Sequence, residues 1–316
     1  MAYTENEARA LVIEAGHRLL ENKLIARTWG NISARISDTQ FIITPSGRAY
    51  DTLKPSELVK VNISDLKYDG DIKPSSEKGI HASVYALRPN VNFVIHTHQF
   101  YASAVCAEEK DTDFAPCAAY GLPGTKKLKM NVSESIKLNP DSRAFLMAKH
   151  GALCLGSDFD ESFSVASELE EKSRMLFESR VKISDGVCEA IDEEYFKNYF
   201  PYVIHNKDRF TLECSMKFRS VPAYIDDYAQ IVGPNARCSL PPNRLVCFAL
   251  KDRNAALIHK QGGICVGGTQ DDVEAVSMIL SKNCAAALYV ENTKPLGAID
   301  SRIQRVVYLK KYSRQK

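Results

Sequence analysis

Two histidines stand two residues apart in VNFVIHTH, at positions 96 and 98. In a strand, that spacing puts both imidazoles on one face beside Val94, with Phe93, Ile95 and Thr97 opposite. Two imidazoles so placed are a natural pair of zinc ligands, although the pattern taken alone equally describes a hydrogen-bonded polar pair. His150 closes the apolar run RAFLMAKH just before Gly151, where a turn can present an imidazole to a cleft. Catalytic zinc sites commonly use three protein ligands and keep one position open, so the three histidines gain meaning together. The other four of the seven, His17, His81, His205 and His259, show no comparable arrangement. His81, four residues after Glu77, reads as a helix-face residue.

Glu77 stands at the start of the helix that leads into the His-x-His strand. A carboxylate there is ordinary helix-start chemistry, stabilised by the dipole, or else a metal neighbour that moves a proton. The same helix start offers the Ser75 and Ser76 hydroxyls and backbone N–H groups suited to a phosphate. Two turns, Gly30-Asn31 and Ser46-Gly47, offer further donors, while each is also a plain turn-former.

These residues need a frame. The chain has 316 residues, 45% of them hydrophobic and 25% charged, which fits an ordinary globular protein of about two domains. Its net charge of +2 gives no basic stripe, so a nucleic-acid binder is not expected. No apolar run is long enough to cross a membrane, and MAYTENEARALVIEAG lacks the basic start of a signal peptide. Nine cysteines, odd in number and without a CxxC, point to a reducing cytoplasm and to thiols that act mainly as small buried hydrophobes.

The periodicity predicts helices over 5–22, 75–88 and 158–180. Strands are predicted in NISAR, QFII, LVKVNI and VNFVIHTH, with a fifth apolar strand over 143–155, interrupted by Gly151. Alternating strands and long helices argue for a layered α/β domain. Residues 184–212 read as a junction. AFLMAKHGALCLG (144–156) then recurs as AALIHKQGGICVG (255–267) at an offset of 111, with Gln261 in place of His150. The second copy keeps the apolar frame and loses the imidazole.

Five motifs in this order, TWGNISAR, ITPSG, KPSSE, RPNVNFVIHTH and AKHGALCLG, resemble the class II aldolase/adducin family over about residues 5–180. That group contains L-fuculose-1-phosphate aldolase and L-ribulose-5-phosphate 4-epimerase. The resemblance implies a three-layer αβα sandwich with a central, largely antiparallel sheet over residues 1–190. A degenerate partial repeat of the same unit would occupy 191–316, with no counterpart of KPSSE or His-x-His. It implies zinc, or another divalent metal, held by His96, His98 and His150. Glu77 would be a metal neighbour and the catalytic acid/base. A substrate phosphate would lie on Gly30, Asn31, Ser46, Gly47, Ser75 and Ser76. The reaction implied is retro-aldol cleavage of a small phosphorylated sugar or sugar acid through a metal-stabilised enediolate, in a cytoplasmic homo-oligomer. Epimerase, decarboxylase or dehydratase chemistry, or a non-catalytic adducin-like role, are the alternatives.

Two departures touch the aldehyde side. Only 17 residues separate His98 from Pro116, fewer than fuculose-phosphate aldolases have there, and Pro123 stands where that aldolase has an aromatic residue. The missing stretch normally supplies a tyrosine to a neighbouring subunit. Tyr101, Tyr120, Tyr224 and Tyr228 are the candidates to replace it, with packing as the alternative role for each.

Overall fold

The computed structural model describes residues 2–25 and 29–312; Met1, residues 26–28 (with Thr28 of TWGNISAR) and residues 313–316 lie outside the described residues. The chain divides into two compact units, 1–175 and 176–316.

In the first unit the order is α1 (Glu5–Glu21), β1 (Asn31–Arg35), β2 (Gln40–Ile43), β3 (Val59–Asn62), α2 (Lys78–Leu87), β4 (Phe93–Thr97), α3 (Phe100–Cys106), β5 (Cys117–Ala118), α4 (Lys126–Leu138), β6 (Ala144–Met147), β7 (Gly151–Gly156) and α5 (Phe159–Arg180). Helix α1 starts at a reciprocal cap: the Glu7 N–H donates to Thr4 Oγ1, and Glu7 accepts from the Thr4 N–H. The seven strands form one sheet in the order β3-β2-β1-β4-β7-β6-β5, and every pair but β5–β6 is antiparallel.

Strand alternation divides the apolar side chains between two faces. Val94, Phe41, Ile43 and Leu153 pack with Ile80 and Val84 of α2 and Leu128, Val132 and Ile136 of α4. Phe93 faces the other way and meets Tyr3 and Phe159 of α5. Helices thus cover both faces of a largely antiparallel sheet, the αβα sandwich expected from the resemblance.

Two local expectations differ from the structure. Helix α2 begins at Lys78, so Ser75, Ser76 and Glu77 form the turn before it. The apolar run 143–155 is a hairpin of two strands, because Lys149 at φ 59° reverses the chain between Met147 and Gly151.

The second unit runs α6 (Glu193–Lys197), β8 (Tyr202–Asn206), α7 (Arg209–Lys217), β9 (Ser220–Pro222), α8 (Asp226–Ile231), β10 (Asn235–Ser239), α9 (Asn243–Leu250), β11 (Ala255–Ile258), β12 (Gly263–Gly267), α10 (Gln270–Tyr289) and α11 (Ala298–Val307). Its sheet order is β8-β12-β11-β10-β9. The first four strands repeat the topology of β4-β7-β6-β5, antiparallel twice and then parallel. Residues 184–212, expected as a junction, contribute α6 and the edge strand β8. The β8 register gives a further correction. His205 opposes Ile264 as His96 opposes Leu153, so VIH at 203–205 is the counterpart of VIH at 94–96. Half of the His-x-His motif therefore persists in the second unit, with Lys207 in the place of His98.

Candidate functional site

Strand β4 carries His96 near its C-terminal end, directly opposite Asn31 of β1. His98 follows just beyond the strand, and His150 lies in the β6–β7 turn. Neighbouring strands bring the three together: their ring centroids are 4.7–4.9 Å apart, and one ligand nitrogen from each lies within 4.8 Å of the others. That spacing can hold one metal ion. His96 Nδ1–H donates to the Ala152 carbonyl at 2.8 Å, which leaves the Nε2 lone pair pointing at the cluster.

Glu77 completes the group. Its Oε2 lies 3.2 Å from His96 Nε2, and its Oε1 lies 3.0 Å from His150 Nε2. Oε1 is buried and accepts no well-formed hydrogen bond. A buried carboxylate oxygen without a donor is costly unless a cation joins it. Burial would raise the Glu77 carboxyl, but the adjacent His150 and the hydrogen bond from the Asn31 amide outweigh it and hold it below the usual carboxylate value. Burial pushes His96 down to about 3 despite the adjacent carboxylate, so its imidazole is neutral at neutral pH. Imidazole nitrogens with available lone pairs beside a carboxylate are a donor set that fits a divalent cation.

The sequence gives no sign of what stands behind Glu77. Asn31 Nδ2 donates to Glu77 Oε2 at 3.0 Å, and Asn31 Oδ1 accepts from His81 Nε2–H at 2.5 Å. The far side of the ring, Nδ1, is 2.6 Å from Ser33 Oγ, which is 2.7 Å from Tyr85 OH. An acceptor at Glu77 sets the Asn31 amide, and that amide sets the His81 tautomer. Ser33 then donates to Nδ1, and Tyr85 donates to Ser33. His81 is completely buried, and burial lowers it to about 4, consistent with the neutral ring this chain needs. The helix-face histidine is thus an inward one. Its position opposite the β1 residues Asn31 and Ser33 depends on long-range pairing, which spacing along one helix does not reveal.

The turns expected to hold a phosphate collect beside this cluster. A Pro45–Pro74 bridge and the Ser75 N–H to Thr44 O bond of 3.0 Å join the Ser46-Gly47 turn to the Ser75-Ser76 turn. Ser76 is exposed and Ser46 and Gly47 are half-buried, whereas Ser75 and Asn31 are buried. The Asn31 side chain is committed to Glu77 and His81. Gly30, at φ +82°, is held so close to β4 that a Cβ would lie 2.4 Å from the His96 carbonyl oxygen. Gly124, whose Cβ would come 3.5 Å from Ser76 Cβ, adds a further neighbour to these turns.

The second unit keeps the positions without the donors. His205 Nε2 bonds the carbonyl of Gln261, the residue in the place of His150, at 2.6 Å. No metal-binding group of three is found among the described residues within this unit.

Comparison with known proteins agrees with this geometry. An L-fuculose phosphate aldolase of Haemophilus influenzae is 34% identical over 155 residues, covering 45% of this chain and 69% of that protein. A 3-oxo-tetronate 4-phosphate decarboxylase of Pectobacterium atrosepticum is 29% identical over 190 residues, 55% of this chain and 85% of that one. Among solved structures, an L-fuculose 1-phosphate aldolase superposes with a TM-score of 0.51 at 25% identity, over 61% of this chain and 93% of its own. Residues 10–177 match the model described as Class II Aldolase and Adducin N-terminal domain, and with more than half its length so matched the chain belongs to the class II aldolase and adducin family.

Proposed function

We propose that this chain is a zinc-dependent lyase that cleaves a small phosphorylated sugar or sugar acid by a retro-aldol reaction. The observation that carries the reading is the convergence of His96, His98 and His150 within 4.8 Å, with the Glu77 carboxylate 3.0–3.2 Å from two of them. His96, His98 and His150 would hold the metal, with the Glu77 carboxylate beside them. When bound, such an ion supplies positive charge against the negative charge that develops on the substrate oxygens.

The protein's own groups do the rest. With substrate bound, Glu77 would move the proton at the carbon beside the cleaved bond, its carboxylate held in place by the Asn31 amide. The backbone of the Gly30-Asn31 turn, with the Ser46-Gly47 and Ser75-Ser76 turns, would hold the phosphate and so fix the reacting carbon relative to Glu77. The exposed Ser76 hydroxyl and the half-buried Ser46-Gly47 turn are the more accessible of these parts to a ligand. None of the nine cysteines, all among the described residues, forms a disulfide, in keeping with a reducing cytoplasm. A homo-oligomer is part of the same reading, and sedimentation velocity tests it.

Metal analysis of the purified chain should find about one divalent ion per chain, and His96→Ala should remove it. Equal trace metal in both proteins would sink the reading and favour an adducin-like interaction role. With metal present, release of dihydroxyacetone phosphate from ketose 1-phosphates is the expected activity. Similarity to a 3-oxo-tetronate 4-phosphate decarboxylase supports one second reading, and carbon dioxide release without aldol cleavage would select it.

A further inference from the structure

The second unit, which lacks the donor set of the first, contains a cavity of about 1010 Å³. Helices α6, α9 and α11 and the segments that follow α6 and α9 contribute to its walls. Such a volume suits a cofactor-sized ligand. Its charge is one-sided. Arg244, Lys251, Arg253, Arg302 and Arg305 line it, against a single acidic residue, Asp252, which pairs with Arg253 at 3.0 Å. Among the described residues, no carboxylate pairs with Arg244, Lys251, Arg302 or Arg305.

Arg305 is the most telling of these. Its Nη1 donates to the Gln230 carbonyl at 2.9 Å and to that of Ile231, and Nη2 donates to Asn254 Oδ1. Every acceptor is neutral, and its Nε is buried without a partner. Burial disfavours the charge and lowers its pKa. A guanidinium fixed this way beside three other unpaired cations is a built receptor for negative charge. The rest of the lining is largely apolar and includes Tyr195, Tyr199 and Phe248, of which Tyr199 is 62% and Phe248 75% exposed. Large aromatic faces open to solvent beside clustered arginines suit a planar ring that carries an anionic group.

We propose that this cavity is a second ligand site for an aromatic anion of the nucleoside phosphate class, the phosphate on the arginines and the base on the aromatic wall. It is independent of the lyase reading, since none of its residues belongs to the first unit.

Calorimetric titration of the full chain with ADP, adenosine and inorganic phosphate tests it. ADP should bind saturably and at least about tenfold more tightly than either fragment, because only ADP engages both parts. The double variant Arg244→Ser/Arg302→Ser, at two exposed positions, should weaken ADP about tenfold or more. Raised salt should weaken it as well. Cys247 lines the cavity, so its alkylation by N-ethylmaleimide, read by peptide mass spectrometry, should slow when ADP is present. The proposal is overturned if ADP does not bind, if adenosine or phosphate alone binds as well, or if the double variant binds unchanged. ADP binding without protection of Cys247 overturns it too, as does a Phe248→Ser variant that dissociates a self-assembled chain in which ADP never binds.

Discussion

At the scale of single residues, the site separates groups that hold from groups that act. His96→Ala removes a donor and should abolish metal retention. Glu77→Gln keeps the shape and the Asn31 contact but not the base, so we expect metal content within twofold of wild type and a kcat loss of about 10²–10⁴-fold. Unchanged turnover in Glu77→Gln would assign the proton to another group. Behind Glu77, His81→Ala would leave Asn31 Oδ1 and Ser33 Oγ short of a partner in a buried space, at a cost of about 2–4 kcal/mol. Urea unfolding of the metal-free protein measures that loss.

Acidity acts on the same residues. His96 falls to about 3 and His81 to about 4, both from 6.5, so between those values the unfolded chain binds more protons than the folded one. Stability from these two is complete above about pH 6.5 and is lost as pH falls towards 3. Glu77, lowered below 4.5, acts in the same direction at the acid end. The urea midpoint of the metal-free chain should therefore drop from pH 7.5 to 5, and a flat profile would contradict this assignment of burial.

At the scale of elements, strand packing sets the histidine geometry. Gly30 and Gly151 each bring a backbone so near β4 that an added Cβ would lie 2.4 Å from a carbonyl oxygen, of His96 and of Thr97 respectively. Gly30→Ala adds a strained φ of +82° to that clash. We expect it to destabilise the protein by about 2–4 kcal/mol and to weaken metal binding, because the atom it strikes belongs to His96, a proposed ligand. The helix that follows Glu77 shows why some boundaries escaped the sequence reading. Pro74 and two serines resemble a helix start, but Ser75 N–H is spent on the Thr44 carbonyl, just past β2, and the Glu77 N–H on Ser75 Oγ. Tertiary pairing held those residues in a turn and delayed the helix to Lys78.

At the scale of the whole molecule, one topology occurs twice and, among the described residues, the histidine cluster once. The β8-β12-β11-β10 segment keeps the strand pairing of β4-β7-β6-β5, and its own core gathers Val246, Ala256, Ile258, Ile264 and Val266. Apolar positions in the repeat are retained because every change there costs packing, whereas ligand positions cost nothing to lose once no metal is bound. Ile258→Ala in the second core should lower stability by about 2–5 kcal/mol while leaving the metal content of the folded protein unchanged, since all four residues proposed for the metal site lie in the first unit.

What the sequence determined by itself was local or ordered: the period-2 placement of His96 and His98, the five motifs in order, the strand–helix alternation and the repeat at 111 residues. These need only neighbouring residues to be read. The tertiary structure decided the rest. It set Asn31 against Glu77 rather than open to a ligand, gave His81 its inward role through a strand 50 residues away, and revealed His205 as a displaced copy of His96 through strand register. Those facts depend on which strands pair and with what offset, a global minimum of burial and hydrogen bonding that no window of the chain contains.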